Sequence, residues 1–204
     1  MMTITYTYGN SLYVNITNRC SNACTFCVRT QADGFYADSL WLEREPTAEE
    51  ILTAILDSEP LSYDGIVFCG YGEPTERLAD MLTVCRALKE RFPALPIRLN
   101  TNGQSDLIAD RDTASDFAGA FDVISISLNA PTAEGYQAVC RSRYGEKAFE
   151  AILAFAEKVK HYVPKVVFSV VKGTIPDEDL DKCQALADRC GVSLRVRDYI
   201  QTNA

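Results

Sequence analysis

Along the chain, short apolar runs alternate with longer amphipathic stretches, and two different periods are visible. The opening "TITYTYGNSLYVNIT" alternates apolar and polar residues on both sides of Gly9-Asn10, which predicts a β-hairpin with a tight turn. Strand-like runs follow at 12–17, 65–70, 96–100, 122–129, 165–171 and 193–197, with helical patterns near 47–58, 76–91, 104–111, 132–139, 146–161 and 177–190. Each crossover is long enough to carry a helix between parallel strands. Pro46, Glu49 and Glu50 mark one helix start and Pro176, Asp177 and Glu178 another, and Gly191 is placed to end the last helix.

Six βα-like units fall short of the eight of a closed TIM barrel. An open doubly wound sheet and a partial barrel both fit the count, and strand parity favours the barrel. In "DVISISLN" the set Ile124, Ile126, Leu128 alternates with Ser125, Ser127, Asn129. Ile97 and Leu99 alternate with Arg98, Asn100 and Asn102; Leu194 and Val196 alternate with Ser193, Arg195 and Arg197. Strands of a doubly wound sheet are buried on both faces and read as apolar throughout. A polar second face suits a lumen that holds a ligand. The expected fold is therefore α/β: a partial (βα)6 TIM-like barrel with an N-terminal hairpin, one domain over 1–204 with no visible linker or repeat.

Net charge is −8 with a pI near 4.7, which argues against a general polyanion binder. The N-terminus lacks a basic region followed by a long apolar one, and no stretch approaches the roughly 20 apolar residues of a membrane span. A cytoplasmic location is expected, where thiols stay reduced, so the 8 cysteines do not read as a disulfide framework.

Three of those cysteines fall in "CSNACTFC", Cys20, Cys24 and Cys27, on the loop after the first parallel strand. In α/β proteins that end of the sheet binds ligands. Four thiolates saturate a structural metal; three leave a position open for chemistry on a ligand. Thiolate softness favours zinc or an iron–sulfur cluster. The sole histidine, His161, ends a predicted helix far along the chain and reads as a surface residue. Three close thiolates can hold three irons of a [4Fe–4S] cube and leave the fourth exposed.

The spacing C-x3-C-x2-C with Phe26 before the last cysteine resembles the radical S-adenosylmethionine (SAM) enzymes, over essentially the whole chain. "FCGYGEPT" ends the second parallel strand and resembles the family's Gly-Gly-Glu-Pro segment, with Tyr71 interrupting the glycine pair. "LNTNG" and "SISLNA" resemble family segments that contact the ribose and methionyl parts of SAM. The resemblance implies a [4Fe–4S] cluster on Cys20, Cys24 and Cys27, and SAM held by Phe26, Gly70, Gly72, Glu73, Asn102, Ser127 and Asn129. Lys172, closing the fifth strand, is the chosen cation for the SAM carboxylate, with Arg141 and Arg143 as alternatives. Arg195 and Arg197 share the inner face, where one can bind a substrate acid or phosphate or simply pair with a nearby carboxylate. Cys140 falls near the mouth and reads as a buried cysteine; Cys69, Cys183 and Cys190 read as core.

The resemblance further implies reductive cleavage of SAM to methionine and a 5′-deoxyadenosyl radical, hydrogen abstraction from a substrate, and an external one-electron donor such as flavodoxin or ferredoxin. No cysteine-rich extension follows the sixth strand, so no auxiliary cluster domain is expected. A mouth so little covered suits a large substrate, a partner protein or a second copy. Short length and "GYGEP" resemble the small members named for association with TatD-family nucleases. A glycyl-radical-protein activase and a non-catalytic iron–sulfur electron-transfer or binding module are the competing readings.

Overall fold

A computed structural model describes residues 2–30 and 39–199. The hairpin forms as its alternation predicts: β1 (Thr5–Tyr8) pairs antiparallel with β2 (Ser11–Val14), and Gly9 takes the positive φ of 56° that the two-residue turn needs. From β2 onward the chain builds a parallel sheet: β3 (Gly65–Phe68), β4 (Ile97–Thr101), β5 (Val123–Ser127), β6 (Lys165–Val171) and β7 (Ser193–Arg197). The strands lie in sequence order from β1 to β7. That order decides between the two architectures. A doubly wound sheet reverses direction at a switch point, whereas this sheet advances one way, as a barrel wall does, and stays open between β7 and β1.

The crossovers carry α1 (Ala48–Asp57), α2 (Leu78–Arg91), α3 (Ser105–Ala109), α4 (Ala133–Cys140), α5 (Lys147–Val159) and α6 (Glu178–Cys190). Thr47 starts α1 through a capping box: its hydroxyl accepts from Glu50 N, and the Glu50 carboxylate accepts from Thr47 N. Gly191 ends α6 at φ 68°. The pattern over 104–111 yields only five helical residues. Asp110 turns the chain at φ 53°, and the Asp106 and Asp112 carboxylates cap the backbone amides of Thr113 and Ala114, competing with further helix.

Parity separates the two faces of the wall. Leu12, Val14, Ile66, Phe68, Leu99, Ile124, Ile126, Phe168 and Val170 are fully buried toward the helices. Arg98, Asn100, Ser125, Ser127, Ser169, Arg195 and Arg197 take the opposite face. Cross-strand register stacks them in rungs: Asn100 beside Ser125, Ser127 beside Ser169, Ser169 beside Arg195. Cys69, read from sequence as core, lies in phase with Val67 rather than with Ile66 and Phe68. Its thiol accepts a hydrogen bond from Asn100 and feels the charges of Arg197 and Arg98, so it belongs to the lumen. Cys183 and Cys190 are fully buried, as expected.

β2 stops at Val14, earlier than the apolar run suggests. Asn15 keeps one backbone bond to Ile4 O and uses its side chain to tie three segments: Nδ2 donates to Thr3 O and Leu40 O, and Oδ1 accepts from Tyr71 N. Among the described residues, no helix is long and apolar enough to cross a membrane.

Candidate active site

The carboxyl ends of β2 to β5 meet at one mouth. Cys20, Cys24 and Cys27 lie there, each half-buried, on the loop that leaves β2. This loop is moored on two sides. Against α4, Ala23 N donates to Cys140 O (3.1 Å) and Thr25 N to Val139 O (2.9 Å). Against the segment after α4, Arg143 N donates to Ser21 O (2.9 Å).

Beneath the loop runs a buried polar network. Asn22 Nδ2 and Gln104 Nε2 both donate to the Tyr136 hydroxyl oxygen at 2.9 Å. Gln104 Nε2 also reaches Asn22 Oδ1 (2.8 Å), and Ser142 Oγ donates to Gln104 Oε1 (3.0 Å). Asn102 Nδ2 donates to Ser21 Oγ (2.7 Å). Of this set, only Asn102 falls in a segment whose motif marks it in the sequence. The others come from positions far apart in the chain, with no spacing to mark them.

Glu73, after β3, is almost fully buried. Its carboxylate accepts from Thr101 Oγ1 (2.7 Å), Asn102 N (2.7 Å), Thr75 Oγ1 (2.8 Å) and Thr75 N (3.1 Å). Burial raises its pKa while these bonds pull it back. The carboxylate is thus spent joining the β3 and β4 loops, and its own N–H donates to Arg19 O (2.8 Å) on the cysteine loop. The glycines before it have a similar cause. A Cβ on Gly72 would stand 2.3 Å from Thr17 O and 2.6 Å from Arg19 O; one on Gly70 would meet Asn15 Oδ1 at 2.0 Å. Only glycine lets "GYGEP" pass this close to the strand end that bears the cysteines.

Ser127 is half-buried on the inner face of β5. Asn129, at the top of that strand, is buried at φ 53°, a conformation asparagine tolerates better than most residues. Its Nδ2 donates to Cys140 Sγ (3.4 Å), while its Oδ1 is buried without a hydrogen-bond partner. Phe26 is half-buried beside the core on the cysteine loop. Lys172 is exposed just past β6, and its backbone N donates to Arg197 O. Arg141 is exposed in the left-handed region at the end of α4. Arg143 is the cation of the three that the fold brings to the cysteine loop: it faces the buried Glu76 carboxylate at 3.6 Å and acts electrostatically on Cys20. His161 lines a depression at the amino ends of β6 and β7, away from the mouth.

Burial pushes the Cys20 thiol up to about 12, with the Glu73 charge adding to it. The Cys24 and Cys140 thiols share a hydrogen bond that raises Cys24 and lowers Cys140, the latter also held by Asn129 and Tyr136. A metal-bound cysteine is a thiolate, so ligation at Cys24 would end its role as donor in this bond and leave it only as acceptor.

The sequence model of the Radical SAM superfamily matches residues 14–187. The chain belongs to this superfamily. Solved radical SAM structures share its fold. SuiB of Streptococcus suis, bound to its precursor peptide SuiA, superposes with a TM-score of 0.67 at 15% identity, over 96% of this chain and 40% of SuiB. A radical SAM methyltransferase of Sphaerobacter thermophilus gives 0.58 at 18% identity, over 95% of this chain and 68% of that one. TsrM of Kitasatospora setae, with cobalamin and a [4Fe–4S] cluster bound, gives 0.52 at 13% identity, over 92% and 36%. The chain thus spans less than half the length of SuiB and TsrM. No curated protein matches it in sequence.

The radical SAM donor set fits what the mouth offers. Three thiols sit on one loop, partly shielded, with no fourth protein ligand in the motif. Among the described residues no three His, Cys, Asp or Glu side chains converge on one ion. A cube asks for something else, since each cysteine binds a different iron. The partnerless Oδ1 of Asn129 fits a hydroxyl or amine donor of a bound SAM.

Proposed function

We propose that this chain is a radical SAM enzyme whose Cys20, Cys24 and Cys27 hold a [4Fe–4S] cluster and whose strand ends hold SAM. The observation that carries the reading is the mooring of the three-cysteine loop. Buried hydrogen bonds fix it above the polar inner face of the barrel. Held by these cysteines and strand ends, and reduced by an external one-electron donor such as flavodoxin or ferredoxin, the cluster with SAM would supply reductive SAM cleavage and hydrogen-atom abstraction chemistry.

The chain's own residues bind, orient and exclude water. Backbone groups of Gly70, Gly72 and Glu73 line the edge of the mouth. The carboxylate of Glu73 and the amide of Asn102 act as positioning groups that fix the loops, because their polar atoms are already engaged. Ser127 and Asn129 offer a hydroxyl and a free amide oxygen to ribose or methionyl groups. Arg143 is the cation best placed for the SAM carboxylate, with Lys172, exposed just past β6, as the alternative. Phe26 shields the cluster loop. The "GYGEP" segment supports kinship with the small TatD-associated members.

Anaerobic reconstitution with iron and sulfide, then dithionite and SAM, tests the reading by assay of 5′-deoxyadenosine. Formation of the nucleoside is expected. An intact, reducible cluster that yields none would sink it and leave an iron–sulfur electron-transfer module. Deuterium transfer into the nucleoside from candidate substrates then separates small molecules from a glycyl-radical partner protein.

A further inference from the structure

Arg98 on β4 and Arg195 and Arg197 on β7 all project from the inner face of the wall. The fold brings them together: Arg98 and Arg195 line one cavity, and both Arg195 and Arg197 act electrostatically on Arg98. None of the three arginines enters an ion pair among the described residues. Asp198 follows Arg197 in sequence yet makes no pair with it. Arg98 Nε and Arg197 Nε are shielded from solvent and have no hydrogen-bond partner. In a chain with 28 acidic and 20 basic residues, three guanidiniums without an acid are an unfavourable arrangement for the empty protein.

We propose that this lumen is a substrate site for a small organic phosphate monoester, whose phosphate is clamped by Arg98, Arg195 and Arg197. A carboxylate carries one charge and two coplanar oxygens, and a single arginine fork satisfies it. A phosphate monoester carries about −1.5 to −2 charges and three terminal oxygens. Those oxygens accept from several directions, which is what forks from two strands on different parts of the wall supply. Between them, Ser125 adds a hydroxyl on the intervening strand β5, and the unpaired Asn100 Oδ1 offers an acceptor to a substrate hydroxyl. A cavity of about 320 Å³, room for a small molecule's head group, opens among Arg98, Ser125, Lys165, Val167, Ser193 and Arg195 in the half of this face nearer the amino ends of the strands; Arg197 stands outside its lining, at the end of β7 nearer the mouth. The site lies on the concave face of the wall beside its open β7 edge, where Ser193 and Arg195 are exposed and a small molecule can enter. An inward cationic patch in an otherwise acidic protein also draws small anions to the lumen.

What is done to the ligand rests on the radical SAM reading; the binding does not. Isothermal titration of the cluster-loaded protein with inorganic phosphate, at fixed ionic strength, tests the site. Succinate serves as the dicarboxylate comparison. One saturable phosphate site is expected, weakened tenfold or more in Arg98→Met and in Arg197→Met, and unchanged in the exposed control Arg91→Gln. No saturable phosphate binding, equal binding in both variants, or succinate binding as tightly as phosphate would each overturn the proposal. The melting midpoint of Arg98→Met in phosphate-free buffer guards against a folding artefact. It is expected to match or exceed the parent, because a repelled charge is removed. A midpoint several degrees lower would show that Arg98 is a structural partner and would equally overturn the site. The two readings fail separately. Phosphate binding without 5′-deoxyadenosine formation keeps the site and sinks the enzyme, and nucleoside formation without phosphate binding does the reverse.

Discussion

The polar interior of this protein comes in two kinds. Under the cysteine loop, Asn22, Gln104, Tyr136, Ser142, Asn102 and Glu73 are buried and hydrogen-bonded to one another or to backbone. In and around the lumen, Arg98 Nε, Asn100 Oδ1, Arg197 Nε and Asn129 Oδ1 are buried and unpaired. The remaining unpaired atom among the described residues, Glu76 Oε1, has Arg143 at 3.6 Å. A buried polar group without a partner costs about 1–3 kcal/mol. The first region has removed that cost within the protein and acts as scaffold. The second carries it, as a surface shaped for something else does.

The comparison breaks most sharply at the cysteines. Cys24→Ala is expected to abolish the EPR signal of the reconstituted, reduced cluster and all 5′-deoxyadenosine formation. Cys183→Ala, buried in α6, should leave both intact. An unchanged signal in Cys24→Ala would remove it from the ligand set.

Next in size is the scaffold itself. Gln104→Leu strips partners from Asn22, Tyr136 and Ser142 at once and should cost about 3 kcal/mol in urea unfolding, with poorer cluster loading. Gly72→Ala should also load poorly, since its methyl would press on the backbone of Thr17 and Arg19. In the lumen the effect is small: Asn100→Leu removes an unpaired oxygen together with one weak bond to the Cys69 thiol, two effects of opposite sign, and should change unfolding free energy by less than about 1 kcal/mol. A loss there as large as at Gln104 would erase the distinction between the two regions.

The smallest effect lies outside both, at the start of α1. Thr47→Ala should cost about 1 kcal/mol through the lost N-cap. Glu50, held at about 2 by Arg44 and by the Thr47 backbone N–H, is depressed from an ordinary 4.5. Its contribution is therefore complete above about pH 4.5 and disappears as the pH falls toward 2. The stability difference between the parent and Glu50→Gln should shrink from pH 7 to pH 3.

Much of this was legible in one dimension. Alternation in 97–102 and 123–129 marked the two faces of β4 and β5, and "CSNACTFC" marked the three-cysteine loop. Both are local: parity depends on a strand's own period of two, and the cysteine motif on spacing within one loop. The mooring network was not legible, because Asn22, Gln104 and Tyr136 meet only after three crossovers. Cys69 was misread because a short apolar run hides which of its residues turns inward.

The sequence alone determined the parallel α/β pattern, the hairpin and the three-thiol loop, since each follows from propensity, period or spacing along a few residues. Tertiary structure decided the rest. It showed that the strands run in order and so form an open barrel wall, and that Glu73 and Asn102 spend their side chains on scaffold. It also gathered Arg98 with Arg195 and Arg197 around one unpaired interior. Those outcomes depend on which distant groups share a buried space, and burial is where charge and hydrogen bonding carry their largest energies.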